Sequence, residues 1–263
     1  MEYEGVVLDL DGTVYRGDEL LPGVEESIER FRSAGVRTIF FSNNPTKSPA
    51  AYVERLSRLG IETDPENVLS AGTVTTQYLV AEHGDDPVFL IGDEGLEEQF
   101  TDAGIELVSE ATDTDVLVVS WARDFSYGDM LAGYRALEDG ATFYGTDPDR
   151  VIPTAGGMAP GSGAIINAVG GTIGREPKRI LGKPSVEAQR AALEALDVPP
   201  ERCVVVGDRL NTDIELGERA GMTTVLVRTG VSSDGDVDKT DTNPDYILDS
   251  LADVPDALGI DSA

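Results

Sequence analysis

The sequence predicts an α/β fold: a Rossmann-like parallel sheet interrupted by an inserted α/β subdomain. Three observations carry that expectation. Short apolar runs alternate with helical patterns at both ends of the chain. Those runs stop at acids, serine or asparagine. About 100 central residues carry an alternation of their own.

The elements follow in order. Gly5-Val-Val-Leu-Asp9 reads as a buried strand running into the turn at Gly12-Thr13. Pro22-Gly23 opens a helix whose face is Val24, Ile28, Phe31 and Ala34, and Gly35 closes it. Val36 to Phe41 is a second strand, ending in Ser42-Asn43-Asn44. Residues 49–59 form a second helix. At the far end Ile180-Leu181 leads to Gly182-Lys183-Pro184, and Ser185 can cap a helix over 186–197. Cys203 to Val206 is a strand ending in Gly207-Asp208, followed by a helix near 212–220. Thr223 to Val227 and Tyr246 to Leu248 are further strands, and a last helix lies near 250–258. Between these halves, strands at 88–91, 116–119 and 141–144 alternate with helices at 94–103 and 127–139. The division expected is therefore 1–79 with 179–263 as a discontinuous core, and 80–178 as the insert.

Composition limits the function classes. The 263 residues hold 49 Asp and Glu against 20 Lys and Arg, a net charge of −29. Such a chain is a poor partner for nucleic acid or an anionic membrane, whose recognition needs cations. The single cysteine, Cys203, forms no internal disulfide and reads as a small core residue. No apolar stretch approaches the ~20 residues of a membrane span, and the acidic start, Met1-Glu-Tyr-Glu, is not expected to act as a signal peptide. We expect a cytoplasmic protein. Acids are spread throughout and lysines number only four, at 47, 178, 183 and 239. That pattern suggests a surface adapted to high salt, where a ~3 Å Debye length at molar ionic strength screens self-repulsion.

Ligands of an open parallel sheet bind beyond the carboxyl ends of its strands. This chain puts Asp9, Asp11, Ser42, Asn43, Lys183, Asp208 and Asp213 there. Four carboxylates on one edge repel one another and any anionic substrate, and a hard cation such as Mg²⁺ resolves the conflict. Asp9 and Asp11 stand two residues apart on an extended backbone, so their side chains point the same way. One can attack phosphorus while the other serves the leaving oxygen, first as acid and then as base for water. Gly12-Thr13 can present N–H groups to phosphate. Ser42, Asn43 and Lys183 can hold the oxygens on which transition-state charge collects.

The order Asp9-Leu-Asp-Gly-Thr13, Ser42-Asn43-Asn44, Lys183, Gly207-Asp208 to Asp213 resembles the four motifs of the haloacid-dehalogenase (HAD) superfamily. Asp11-Gly-Thr-Val-Tyr-Arg-Gly17, Ser42 to Lys47, Pro160-Gly-Ser-Gly163, Gly182-Lys-Pro-Ser185 and Gly207 to Ile214 are similar to its NagD and p-nitrophenyl-phosphatase subfamily, whose cap is inserted between the second and third motifs. The resemblance implies a HAD core and a phosphomonoester hydrolase of small phosphorylated metabolites. Asp9 would be nucleophile and Mg²⁺ ligand. Asp11 would be the acid/base and lend its backbone carbonyl to the metal. Ser42 and Asn43 would bind phosphate, with Lys183 as counter-ion. Asp208 would be the third metal ligand, and Asp213 would support the metal's waters or Lys183. It further implies a homodimer formed through the cap. A phosphotransferase or mutase, or a phospho-acceptor signalling module, are the alternatives.

The cap departs from that pattern twice. Thr146-Asp147-Pro-Asp149 carries a carboxylate where the subfamily commonly has Asn. Ser120-Trp121-Ala-Arg123-Asp124 replaces a Gly-rich turn, which makes Arg123 a candidate contact for an anionic substrate. Trp121 fits either a core or a cleft. His83, the one histidine, falls at the expected boundary and is expected to face solvent. Ser233 to Asp238 resembles the start of a calcium loop, but Lys239 stands where Gly is needed, so it reads as an acidic surface loop.

Overall fold

The structure, a computed structural model, describes residues 3–154 and 156–260. The chain begins with β1 (Gly5–Leu8), a small hairpin of β2 (Tyr15–Arg16) and β3 (Glu19–Leu20), α1 (Val24–Ser33), β4 (Arg37–Ser42), α2 (Pro49–Arg58), β5 (Val68–Ser70) and α3 (Ala71–Glu82). The middle holds β6 (Val88–Ile91), α4 (Glu94–Asp102), β7 (Val116–Val119), α5 (Tyr127–Glu138) and β8 (Thr142–Gly145). A second hairpin, β9 (Val151–Thr154) with β10 (Gly157–Pro160), then precedes α6 (Ser162–Gly171). The last third runs β11 (Arg179–Ile180), α7 (Val186–Leu196), β12 (Cys203–Gly207), α8 (Glu215–Ala220), β13 (Thr223–Val227), α9 (Asp234–Val237), β14 (Tyr246–Leu248) and α10 (Val254–Ala257).

Two compact units result. The first is formed by the chain up to Ser42, by Pro49–Leu69 and by the chain from Ala188 onward. Its sheet has the order β14-β13-β12-β1-β4-β5. β1 lies between β12 and β4, parallel to both, with Leu8 level with Val206 and Phe40. Asp9, Gly207 and Phe41 therefore come to the same edge. Val6, Leu8, Phe40, Val204, Val206 and Val225 pack one face against Ile28 and Phe31 of α1 and Leu56 of α2. Val7, Ile39, Phe41 and Val205 are also buried, so both faces are covered, as the unbroken apolar runs require. Cys203 is fully buried there, as a core residue.

The second unit is Asn43–Ser48 with Ser70–Glu187. Its parallel sheet has the order β11-β8-β7-β6. Leu117, Val119 and Phe143 pack on one side with Ala136 and Leu137 of α5 and Ile165, Ile166 and Val169 of α6. Val116, Val118 and Tyr144 pack on the other with Leu79 of α3 and Phe100 of α4.

His83 corrects an expectation. Its side chain is only 12% exposed. Nδ1 lies 2.7 Å from Asp86 and Nε2 lies 2.9 Å from the hydroxyl of buried Tyr144. Two polar partners make the imidazole cheaper to bury than to solvate. Trp121 is half-buried against the second core, with the Arg123 guanidinium 5.3 Å from its ring. The acidic loop contains one helical turn, α9, capped by reciprocal Ser233 and Asp236 bonds.

Candidate active site

Asp9 and Asp208 stand just past the ends of β1 and β12, where the strands release the chain. Asp213 follows in a wide turn, Leu210–Ile214, whose five-residue hydrogen bonding widens the helix start. The turn returns the Asp213 carboxylate to the backbone N–H of Arg209 at 3.1 Å. All three carboxyls are buried, Asp9 at 9% and the other two at 1% exposure. Carboxylate oxygens of the three lie within 4.8 Å of one another. Unit charges ~4 Å apart repel by about 1 kcal/mol in water and by several-fold more where water is excluded. The arrangement could hold a cation. An all-oxygen set of anionic donors fits a hard ion such as Mg²⁺.

Asp208 is also fixed by the segment after β13. The Val231 N–H donates to its carboxylate at 2.6 Å, and the Ser232 N–H donates to its carbonyl at 3.0 Å. The Thr229 hydroxyl donates to the carbonyl of Gly12 at 2.6 Å, and the Arg16 guanidinium donates to the carbonyl of Thr229. Two glycines permit this closeness. Gly12 has φ +97°, and a Cβ there would sit 2.7 Å from the Asp208 carboxylate. A Cβ at Gly230 would overlap the same carboxylate.

Asp11 lies at the rim, exposed, at the start of a tight turn. Gly12 N–H donates to the Tyr15 carbonyl at 2.8 Å and Val14 N–H to the Leu10 carbonyl at 2.9 Å. Ser42 ends β4, is 3% exposed, and shares a side-chain hydrogen bond with Tyr52 of α2. Burial, above all, raises the Tyr52 phenol above its ordinary range, so it stays protonated.

Asn43 and Lys183 meet in the second unit. The Asn43 side chain accepts from the Lys183 N–H at 2.9 Å and donates to the Lys183 carbonyl at 3.2 Å. Gly182 N–H donates to the Thr146 carbonyl at 2.6 Å. Lys183 is 1% exposed. Asp147 is buried beside Asp149 in the same unit, whereas Arg123 is exposed.

Sequence reasoning missed Tyr15, Tyr52, Gly230 and the 229–232 segment. Only the Thr-Gly pair after a strand signalled the last of these. Nothing linear marks Tyr52, which reaches Ser42 from one turn inside α2.

Comparison with known proteins gives a consistent assignment. A family model described as "Haloacid dehalogenase-like hydrolase" matches residues 6–106, and a HAD-hydrolase-like model matches 180–254. The sugar-phosphatase AraL of Bacillus subtilis is 33% identical over 250 residues, covering 95% of this chain and 91% of AraL. Among solved structures, the p-nitrophenyl phosphatase from Archaeoglobus fulgidus superposes with a TM-score of 0.91 at 34% identity, over 97% of this chain and 99% of that one. NagD from Escherichia coli gives 0.86 at 27% identity, over 96% and 98%. The chain belongs to the haloacid-dehalogenase-like hydrolases, in their NagD and p-nitrophenyl-phosphatase-like branch.

Proposed function

We propose that this chain, a phosphatase of the haloacid-dehalogenase superfamily, hydrolyses small phosphomonoesters with Mg²⁺ through an aspartyl-phosphate on Asp9. The observation that carries the reading is the buried meeting of Asp9, Asp208 and Asp213 at the carboxyl edge of the first sheet. Asp9, Asp208 and the backbone carbonyl of Asp11 would hold the ion, with Asp213 in support. The ion would offset the charge of these carboxylates and of the substrate phosphate.

The remaining steps belong to the chain's own residues. The Asp9 carboxylate attacks phosphorus, forming a P–O bond as the ester P–O bond breaks. Asp11 gives its proton to the departing oxygen, then takes one from the water that releases phosphate from Asp9. Ser42 and Asn43 bind the phosphoryl oxygens, and Lys183 balances their charge. The 80–178 insert would act as the cap, excluding water when closed. Within it, Asp147 and Arg123 are our candidates for specificity. The names of relatives such as AraL support sugar phosphates as the first substrates to try. A cytoplasmic, salt-rich setting and a homodimer through the cap complete the proposal, without nucleic-acid or membrane partners. No helix among the described residues is long and apolar enough to cross a membrane.

Asp9→Asn tests the core of it. Turnover of p-nitrophenyl phosphate with Mg²⁺ should fall below detection; near wild-type turnover would refute the nucleophile. Assaying free phosphate against phosphorylated acceptor separates hydrolysis from phosphotransfer.

A further inference from the structure

The chain that carries Lys183 leaves the second unit's sheet in steps. β11 has only two residues and pairs with β8. Beyond it, Leu181 N–H donates to the Gly145 carbonyl at 2.9 Å and Gly182 N–H to the Thr146 carbonyl at 2.6 Å. At Lys183 the partner changes from backbone to side chain. The Asn43 carboxamide accepts from the Lys183 N–H at Oδ1, at 2.9 Å, and donates from Nδ2 to the Lys183 carbonyl at 3.2 Å. One side-chain amide thus presents the donor and acceptor that a residue of an antiparallel strand would have offered.

The surroundings hold this contact in place. Asn43 is 8% and Lys183 1% exposed, so neither bond is readily exchanged for one to water. Gly182 makes the room: a Cβ there would lie 2.9 Å from Asn43 Oδ1 and 2.7 Å from the Thr146 carbonyl. On the far side, Ser185 N–H donates to the Gly182 carbonyl at 2.9 Å, and its hydroxyl to the Leu181 carbonyl at 2.5 Å. The backbone is therefore tied down before and after Lys183, and at Lys183 itself by Asn43. A lysine ammonium rides on a flexible four-carbon stem, so where it can reach depends on where that stem is rooted.

We propose that Asn43 is a positioning residue for Lys183: its carboxamide fixes the lysine backbone, and with it the point from which the ammonium reaches a phosphoryl group. Most of what the Asn43 side chain contributes to phosphate affinity then runs through Lys183. The inference rests on Lys183 being the counter-charge to phosphate.

A double-mutant cycle tests this, with inorganic phosphate as the probe, titrated by calorimetry in the presence of Mg²⁺. Partial unfolding lowers the number of sites and leaves the Kd of the folded fraction unchanged. Asn43→Ala should weaken phosphate binding about tenfold, and Lys183→Met at least as much. Asn43→Ala added to Lys183→Met should cost less than about twofold more. kcat/KM for p-nitrophenyl phosphate should follow the same pattern. Gly182→Ala, which keeps both side chains but crowds Asn43 Oδ1, should repeat it, and carries the test alone if Asn43→Ala does not fold. A role confined to holding the fold would not depend on the Lys183 side chain. Equal costs of Asn43→Ala in both backgrounds would show that Asn43 acts independently of Lys183, and no cost in either would show that Lys183 needs no clamp; each result overturns the proposal. If Lys183→Met alone loses nothing, the reading of Lys183 as counter-charge has itself failed, and that outcome is distinct from a failure confined to Asn43.

Discussion

Asp147 offers a pH experiment whose size follows from its surroundings. The carboxyl is 2% exposed, accepts from the Thr146 hydroxyl at 3.1 Å and the Asp149 N–H at 3.2 Å, and bonds Ser162. Those bonds favour the charged form. Burial outweighs them, and with the neighbouring Asp149 carboxylate it pushes the carboxyl up from 3.8 to about 7. The sign follows from linkage. A proton held more tightly in the folded state stabilises the fold fully below pH ~4, and that contribution is lost as pH rises through about 7. Between pH 5 and pH 8 the loss comes to about 2–3 kcal/mol.

Asp147→Asn removes the titration while keeping the shape. Its amide can still accept from the Asp149 N–H and can donate to the Thr146 hydroxyl, which has Ser120 as its own acceptor at 2.9 Å. Urea unfolding of both proteins at pH 5 and pH 8, in the same salt, gives the difference directly. The variant should gain about 2–3 kcal/mol relative to wild type over that interval. A difference that stays constant within 0.5 kcal/mol, on the order of assay error, would refute the account of a proton held on Asp147.

Two further outcomes follow from the site and the surface. Gly12→Ala forces a Cβ to within 2.7 Å of the Asp208 carboxylate at φ +97°. It should cost about 1–2 kcal/mol of stability and raise the Mg²⁺ concentration needed for half-maximal activity at least tenfold. Unchanged Mg²⁺ dependence would show that Asp208 tolerates the shift. The charge of −29 predicts that the thermal midpoint climbs steadily from dilute buffer to molar KCl. Greatest stability at low salt would sink the reading of a salt-adapted surface.

What could be read in the sequence depended on whether a signal was local. The position of Asp9 at the end of a central strand was legible because Gly5–Leu8 is apolar on both faces and stops abruptly at an acid, which is what a central parallel strand does. α3 was not. Its buried positions, Ala71, Gly72, Val74, Thr75 and Leu79, form no separate apolar stripe, and its β-branched threonines argue against helix. The Ser70 cap, bonded to Thr73 N–H at 3.0 Å, was the one local cue. α6 escaped for a related reason, since Gly163, Gly170 and Gly171 are poor helix formers that close packing selects. The contacts of Tyr15 with Arg55, of Tyr52 with Ser42 and of Gly230 with Asp208 join distant segments, and no spacing rule encodes those.

The acids of this chain fall into populations that the net charge hides. An exposed carboxylate is discharged by the solvent: at molar salt a ~3 Å Debye length screens its neighbours. That remedy does not reach a buried group, since mobile ions penetrate the interior poorly. Asp9, Asp208 and Asp213 are buried together within 4.8 Å, and the cation proposed for them would meet their repulsion. Asp147 and Asp149 are buried together, and among the described residues no third carboxylate converges on them; a proton on Asp147 meets theirs. Each remedy has its own control: ionic strength for the surface, Mg²⁺ for the triad, pH for the pair. Varying one while holding the other two fixed should therefore move global stability, Mg²⁺ dependence and the Asp147 linkage separately, which a single undifferentiated acidic surface would not allow.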